Sequence, residues 1–108
     1  MRNLSSLDTT TEILGHKIKF PFGFAPTATH AMAHPDGELA TSQACAAANI
    51  PMGLSNYSTV PLEKVARAGK GNPYLMQVSM LKDRATLRRV IKRAEGGSLE
   101  RDLQQRIG

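Results

Sequence analysis

Three apolar, strand-like runs each end in a short polar cluster, and a helix-like segment follows each one. The clusters are Ala25-Pro26-Thr27-Ala28, Leu54-Ser55-Asn56-Tyr57 and Gln77-Val78-Ser79. Strands that alternate with helices imply a parallel sheet with right-handed crossovers. In such folds ligands bind where the C-terminal ends of strands pass into loops. Three hand-overs in a row therefore suggest one side of a ligand pocket, with the rest of it missing. Each unit takes roughly 25–30 residues, the rhythm of a (β/α)8 barrel, which needs ~250 residues to close. The chain has 108 residues. The expected fold class is α/β, an incomplete TIM barrel of about three β-α units with parallel strands.

Residues 1–15 read as an irregular lead-in closed by a turn at Gly15. Ile18, Phe20, Phe22 and Phe24 alternate with Lys17, Lys19, Pro21 and Gly23, a period-two strand signal that Pro21 confines on one side and Pro26 stops. Residues 28–35 are expected as a loop. Asp36 is a candidate N-cap for a helix over Leu39–Ala48, whose small residues (Ala40, Ala44, Ala47, Ala48) would let it approach a sheet. Asn49 ends that helix, and Ile50–Leu54 is a short buried strand. Pro61 suits the first turn of a second helix with a Leu62, Val65, Ala66 stripe. Gly69–Pro73 is a loop and Tyr74–Val78 the third strand. Asp83 caps a helix whose buried stripe is Leu87, Val90, Ile91 and Ala94. Gly96-Gly97-Ser98 is expected to break it, leaving a polar stretch with a thin Leu99, Leu103, Ile107 stripe.

Composition narrows the function classes. No apolar run approaches the ~20 residues that span a bilayer, and the N-terminus has no hydrophobic signal core. The C-terminal Gln105-Arg106-Ile107-Gly108 is not a peroxisomal tripeptide, so a cytoplasmic location is the default. The lone Cys45, set in a run of alanines, reads as a small buried hydrophobe. The net charge of +5 comes from one stretch. Lys82, Arg84, Arg88, Arg89, Lys92 and Arg93 stand against the single acid Asp83. Without aromatic readers among them, they describe a solvated helix face rather than a nucleic-acid surface. His30 and His34 have the spacing of a helical metal pair, but Pro35 opposes helix there and no third ligand is evident. They and His16 are read as structural, and no metal is expected.

The segments Phe24-Ala25-Pro26-Thr27-Ala28, Met32-Ala33-His34-Pro35-Asp36-Gly37-Glu38, Leu54-Ser55, Gln77 and Lys82-Asp83-Arg84 resemble the FMN-dependent α-hydroxy acid oxidases and dehydrogenases, over about residues 2–95. The resemblance implies a (β/α)8 barrel with FMN at the C-terminal mouth. It implies that Pro26, Thr27 and Ala28 present backbone groups to the flavin ring. Ser55 would bond FMN through its hydroxyl, and the Gln77 amide would contact the pyrimidine end of the ring. A flavin edge alternates donors and acceptors, and an amide side chain can serve both. Ser79 stands where the family usually has Tyr, and Tyr57 where it often has Trp.

The resemblance also places the catalytic His, the Arg that holds the substrate carboxylate, a Lys near the flavin and the phosphate-binding loops in later strand–helix units. None of these is in the chain, so no catalytic residue is assigned. Residues 1–95 are expected to form a partial hydroxy acid dehydrogenase barrel and residues 96–108 an unrelated polar tail. The parent reaction is oxidation of a small L-2-hydroxy acid to a 2-oxo acid. The chain alone is expected to be inactive and to bind FMN too weakly to survive gel filtration, since the phosphate lacks an anion site. Open sheet edges give the alternative, a non-catalytic module that pairs with a partner or as a homo-oligomer. For the parent family the resemblance leaves a peroxisomal address open.

Overall fold

Leu14 and Gly15 both take positive φ, 49° and 77°. That pair of left-handed residues makes the tight turn whose twist matches antiparallel strands. In the computed structural model, which describes residues 4–79 and 82–107, this turn joins β1 (Thr11–Ile13) to β2 (His16–Ile18). Thr11 faces Ile18 and Ile13 faces His16. The lead-in expected to be irregular is therefore half a hairpin. The Thr9 hydroxyl extends it by donating to the Lys19 carbonyl at 2.7 Å.

The expected strand from Lys17 to Phe24 does not form as one piece. After β2 the chain bends at Pro21, where the Phe22 N–H donates to the Phe20 carbonyl at 2.8 Å. Proline presets the φ that such a turn needs and cannot supply a ladder N–H. The bend stacks Phe20 edge-on against Phe22, ring centroids 4.9 Å apart. Parallel pairing survives at its two ends. Lys19 N–H reaches the Asn49 carbonyl, Phe24 N–H the Pro51 carbonyl, and Gly53 N–H the Phe24 carbonyl. Phe24 thus pairs with Met52 as a single parallel bridge.

A 3-10 turn over His30–Met32 leads to α1 (Gly37–Ala48). Asp36 flanks the start of α1 but its side chain caps nothing. Asn49 ends the helix in the left-handed conformation, returning its N–H to the carbonyls of Cys45 and Ala46. The buried face of α1 is Glu38, Ser42 and Cys45, one step each of i+4 and i+3. Ala44, Ala47 and Ala48 are exposed, so the alanines do not form the close-packed face expected of them. Ser42 decides the orientation. Its hydroxyl donates to the Val65 carbonyl at 2.6 Å and also pairs with the Tyr74 hydroxyl.

β3 (Met52–Leu54) pairs in parallel with β4 (Tyr74–Met76), with α2 (Leu62–Ala68) as the crossover. Period two then sorts the side chains. Met52, Leu54, Tyr74 and Met76 face the helices and join Cys45, Ile50 and Val65 in the core. Burying a residue such as Val65 or Leu54 contributes roughly 1.5–3 kcal/mol. Gly53 lies under Pro26, and a Cβ there would come within 2.7 Å of the proline Cδ. No residue but glycine lets the two chain segments approach so closely.

α3 (Arg84–Ile107) starts where expected, with the Asp83 carboxylate accepting the Ala85 N–H at 3.0 Å. It does not break at Gly96-Gly97-Ser98 but runs through them. Each glycine costs about 1 kcal/mol in a helix interior, which weakens a helix without forbidding it. Leu87, Val90 and Ala94 are half-buried and Ile91 is 40% exposed. The side chains beyond residue 96 lie outside the described set. Arg93 holds α3 to α2 through a two-pronged bond to Glu63, at 2.8 and 2.9 Å.

Candidate functional site

The C-terminal ends of the three parallel segments carry the residues singled out in the sequence. At the first, Pro26, Thr27 and Ala28 are all exposed. The Thr27 hydroxyl folds back onto the Ala25 carbonyl at 3.1 Å. Among the described residues, the N–H groups of Thr27 and Ala28 and the carbonyls of Pro26, Thr27 and Ala28 have no protein partner. A short run of backbone thus offers donors and acceptors to whatever lies against it.

At the second end Ser55 is 3% exposed. Its oxygen accepts the Tyr57 N–H at 3.1 Å, which leaves the hydroxyl proton available. At the third end Gln77 is anchored by its backbone, whose N–H donates to the Leu54 carbonyl at 2.9 Å. Its side-chain amide is exposed and has no partner among the described residues. Pro26 and Gln77 line one cavity of about 420 Å³ together with Phe24, Ala25, Gly53 and Met76. Ile13 of the hairpin also lines it. Thr27, Ala28 and Ser55 are not among its walls.

Two polar residues have roles that the sequence alone does not assign. Asn56 donates from Nδ2 to the Ser79 hydroxyl at 2.8 Å and so links the second strand end to the third. Its Oδ1 is buried without a partner among the described residues. Its place directly after Ser55 was the available signal. Glu38 is fully buried, yet it lies in the first turn of α1, where a carboxylate reads as a solvated partner of the helix dipole. One of its oxygens accepts the N–H groups of His30 and Thr59, at 3.2 and 2.9 Å. The other accepts the Thr59 hydroxyl. Burial works to raise this carboxyl, but the bonds from Thr59, from its own N–H and from His30 outweigh it and hold the group down at about 2. A carboxylate that accepts several such bonds stays charged in a dry setting.

The histidines serve the loop. His30 Nδ1 pairs with the Thr41 hydroxyl at 2.9 Å, and His34 Nδ1 accepts the Asp36 N–H at 3.2 Å. Cys45 is buried, and burial pushes its thiol up, away from the reactive thiolate. Among the described residues no helix is long and apolar enough to cross a membrane.

The chain belongs to the FMN-dependent dehydrogenase family, whose model matches residues 1–100. It is 45% identical over 93 residues to glycolate oxidase 1 of Zea mays, covering 86% of this chain and 25% of that protein. It is 41% identical over 95 residues to 2-hydroxyacid oxidase 1 of Mus musculus, covering 88% of this chain and 26% of that protein. Its fold superposes on a mandelate oxidase variant holding a monooxide FMN adduct, with a TM-score of 0.82 and 31% identity over 90% of this chain and 30% of the other. A Pediococcus acidilactici protein described as a lactate oxidase gives 0.85 and 30% identity, over 90% of this chain and 28% of the other. The chain spans about a quarter of the length of these curated relatives. The family's cofactor is FMN.

The residues present suit the ring of that cofactor. The exposed backbone at Pro26–Ala28 and the free Gln77 amide offer donors and acceptors of the kind an isoalloxazine edge takes, while the Ser55 hydroxyl lies buried beside them.

Proposed function

We propose that this chain is the flavin-edge part of an FMN-dependent oxidoreductase that converts L-2-hydroxy acids to 2-oxo acids, folded as an incomplete barrel and inactive alone. The carrying observation is that Pro26 and Gln77, from the first and third strand ends, line one cavity over the Gly53 face of the sheet. FMN, when bound, would accept the hydride equivalent removed from the substrate. The protein's part is to hold the ring: Pro26–Ala28 through the backbone, Gln77 through its amide, Ser55 through its hydroxyl. No described residue stands in the cavity as a proton acceptor; its walls are apolar apart from Gln77 and backbone. On the same reading the barrel segment ends near Glu95 and residues 96–108 are a separate tail. The purified chain, mixed with FMN and glycolate or lactate, should show no flavin-dependent oxidation. Turnover above the no-protein control would overturn the inactivity.

A second reading has its own support. Phe20, Phe22, Phe24, Leu75 and Val78 are 39–55% exposed, and β4 pairs on one side only among the described residues. Apolar side chains beside an open edge favour association by strand addition. We read the chain on this basis as able to form a homo-oligomer or to dock on a larger relative. Light scattering behind size exclusion tests it, and a monomer at every accessible concentration would remove it.

A further inference from the structure

Glu38 is a buried carboxylate with a task the ring-edge reading does not use. Among the described residues no lysine or arginine pairs with it. Its charge is held by dipoles alone, and apart from its own N–H those come from two separate loops. His30 belongs to the loop that follows Phe24, and Thr59 to the loop that follows β3. The two loops meet nearby as well. The Ala31 N–H donates to the Thr59 hydroxyl at 3.3 Å, and the Thr29 N–H to the Tyr57 carbonyl at 3.2 Å. Thr29 takes φ 53°, a left-handed conformation that a β-branched residue adopts only when its surroundings impose it. A buried charge without these donors is untenable, so the carboxylate and the joined loops require each other.

We propose that Glu38 is a positioning residue that clamps the loop after Phe24 to the loop after β3, fixing the backbone of Pro26–Ala28 relative to Ser55. The inference rests on the flavin-edge reading for what those groups hold. It predicts that Pro26–Ala28 and Ser55–Tyr57 move as one body, and that weakening the clamp disturbs both.

The test is an amide-resolved spectrum of the whole chain with lumiflavin as the probe, since it carries the ring without the phosphate. Glu38→Gln keeps one oxygen for the two N–H groups but sets an amide nitrogen against the Thr59 hydroxyl. Thr59→Val removes the hydroxyl alone, and Thr59→Ser keeps it. Glu38→Gln and Thr59→Val should shift amides across 27–31 and 55–59 together, leave the β1–β2 hairpin unmoved, and weaken lumiflavin binding by about fivefold or more. Thr59→Ser should stay close to wild type, which a role in bulk packing would not require. Shifts confined to the mutated contacts, with binding within about twofold, would overturn the clamp. If Glu38→Gln does not fold, Thr59→Val carries the same readouts. If the wild-type chain fails to bind lumiflavin, the flavin-edge reading falls. The clamp then stands on concerted shifts in both loops and falls if only one loop moves.

Discussion

The first two strand ends and the third are built by opposite means. Around Pro26–Ala28 and Ser55 the loops are cross-braced by Glu38, Thr59 and Thr29, with a buried charge at the centre. Around Gln77 a backbone bond to Leu54 and the Asn56–Ser79 link do the holding, while Leu75 and Val78 stand 49% and 39% exposed. The braced region carries its own partners. The open one depends on neighbours for its packing, so a ligand edge built across both is only as fixed as its weaker side.

The largest break is Glu38→Ala. It leaves the N–H groups of His30 and Thr59 and the Thr59 hydroxyl without their acceptor in a part-buried site, and should cost on the order of 3–5 kcal/mol, a large share of the stability of a chain of this size. Urea denaturation followed by circular dichroism reads it directly. Acid should attack the same point. The Glu38 carboxyl sits at about 2 in the fold against an ordinary 4.5. A depressed carboxyl stabilises the fold fully above its unfolded value, so the contribution is intact above pH 4.5 and fades as the pH falls toward 2. It amounts to roughly 3 kcal/mol. Glu38→Gln should flatten most of that acid limb; an unchanged limb would show that the other depressed carboxyls, Asp8, Glu63 and Asp83, carry it instead.

Gly53→Ala asks whether the braced side relies on close approach. Its Cβ would lie 2.7 Å from Pro26 Cδ, so Pro26 has to move, at a cost of roughly 1–3 kcal/mol. Arg93→Ala probes the open side. It removes the bridge from α3 to Glu63, a half-exposed pair worth at most about 1 kcal/mol, and salt should shrink the effect further. Gln77→Ala should change stability least, within about 0.5 kcal/mol, while weakening lumiflavin binding. A large loss of stability there would mean that the amide holds the fold together rather than a ligand.

Much of the fold that carries this contrast is legible in the sequence. The order of hand-overs, the helix end at Asn49, the buried Cys45 and the start of α3 at Asp83 all follow from local patterns, and the structure has them. The strand expected through Phe20 and Phe22 does not form: apolar alternation continues across Pro21 while the backbone turns there. The hairpin is hidden in the lead-in because β1 is only three residues long and polar apart from Ile13. Glu38 reads in sequence as part of a motif and not as a buried brace. Its partner Thr59 lies 21 residues away, and nothing local tells a solvated carboxylate from one that a distant loop will cover.

The β1–β2 hairpin has a consequence for the order in which this chain assembles. Its turn is local, and closure of such a hairpin takes about 1–10 μs. β3 and β4 must wait for α2 to cross between them, a slower search because the pairing is non-local. During synthesis the N-terminal segment also emerges first. Hairpins of two strands are marginal on their own, so this one will flicker until Ile18 finds its buried seat and Lys19 its bond to Asn49. Ile13, which lines the cavity with Pro26 and Gln77, is held in place only from that moment. Hairpin and sheet lock together, so the wall at Ile13 sets when the other walls of the cavity do.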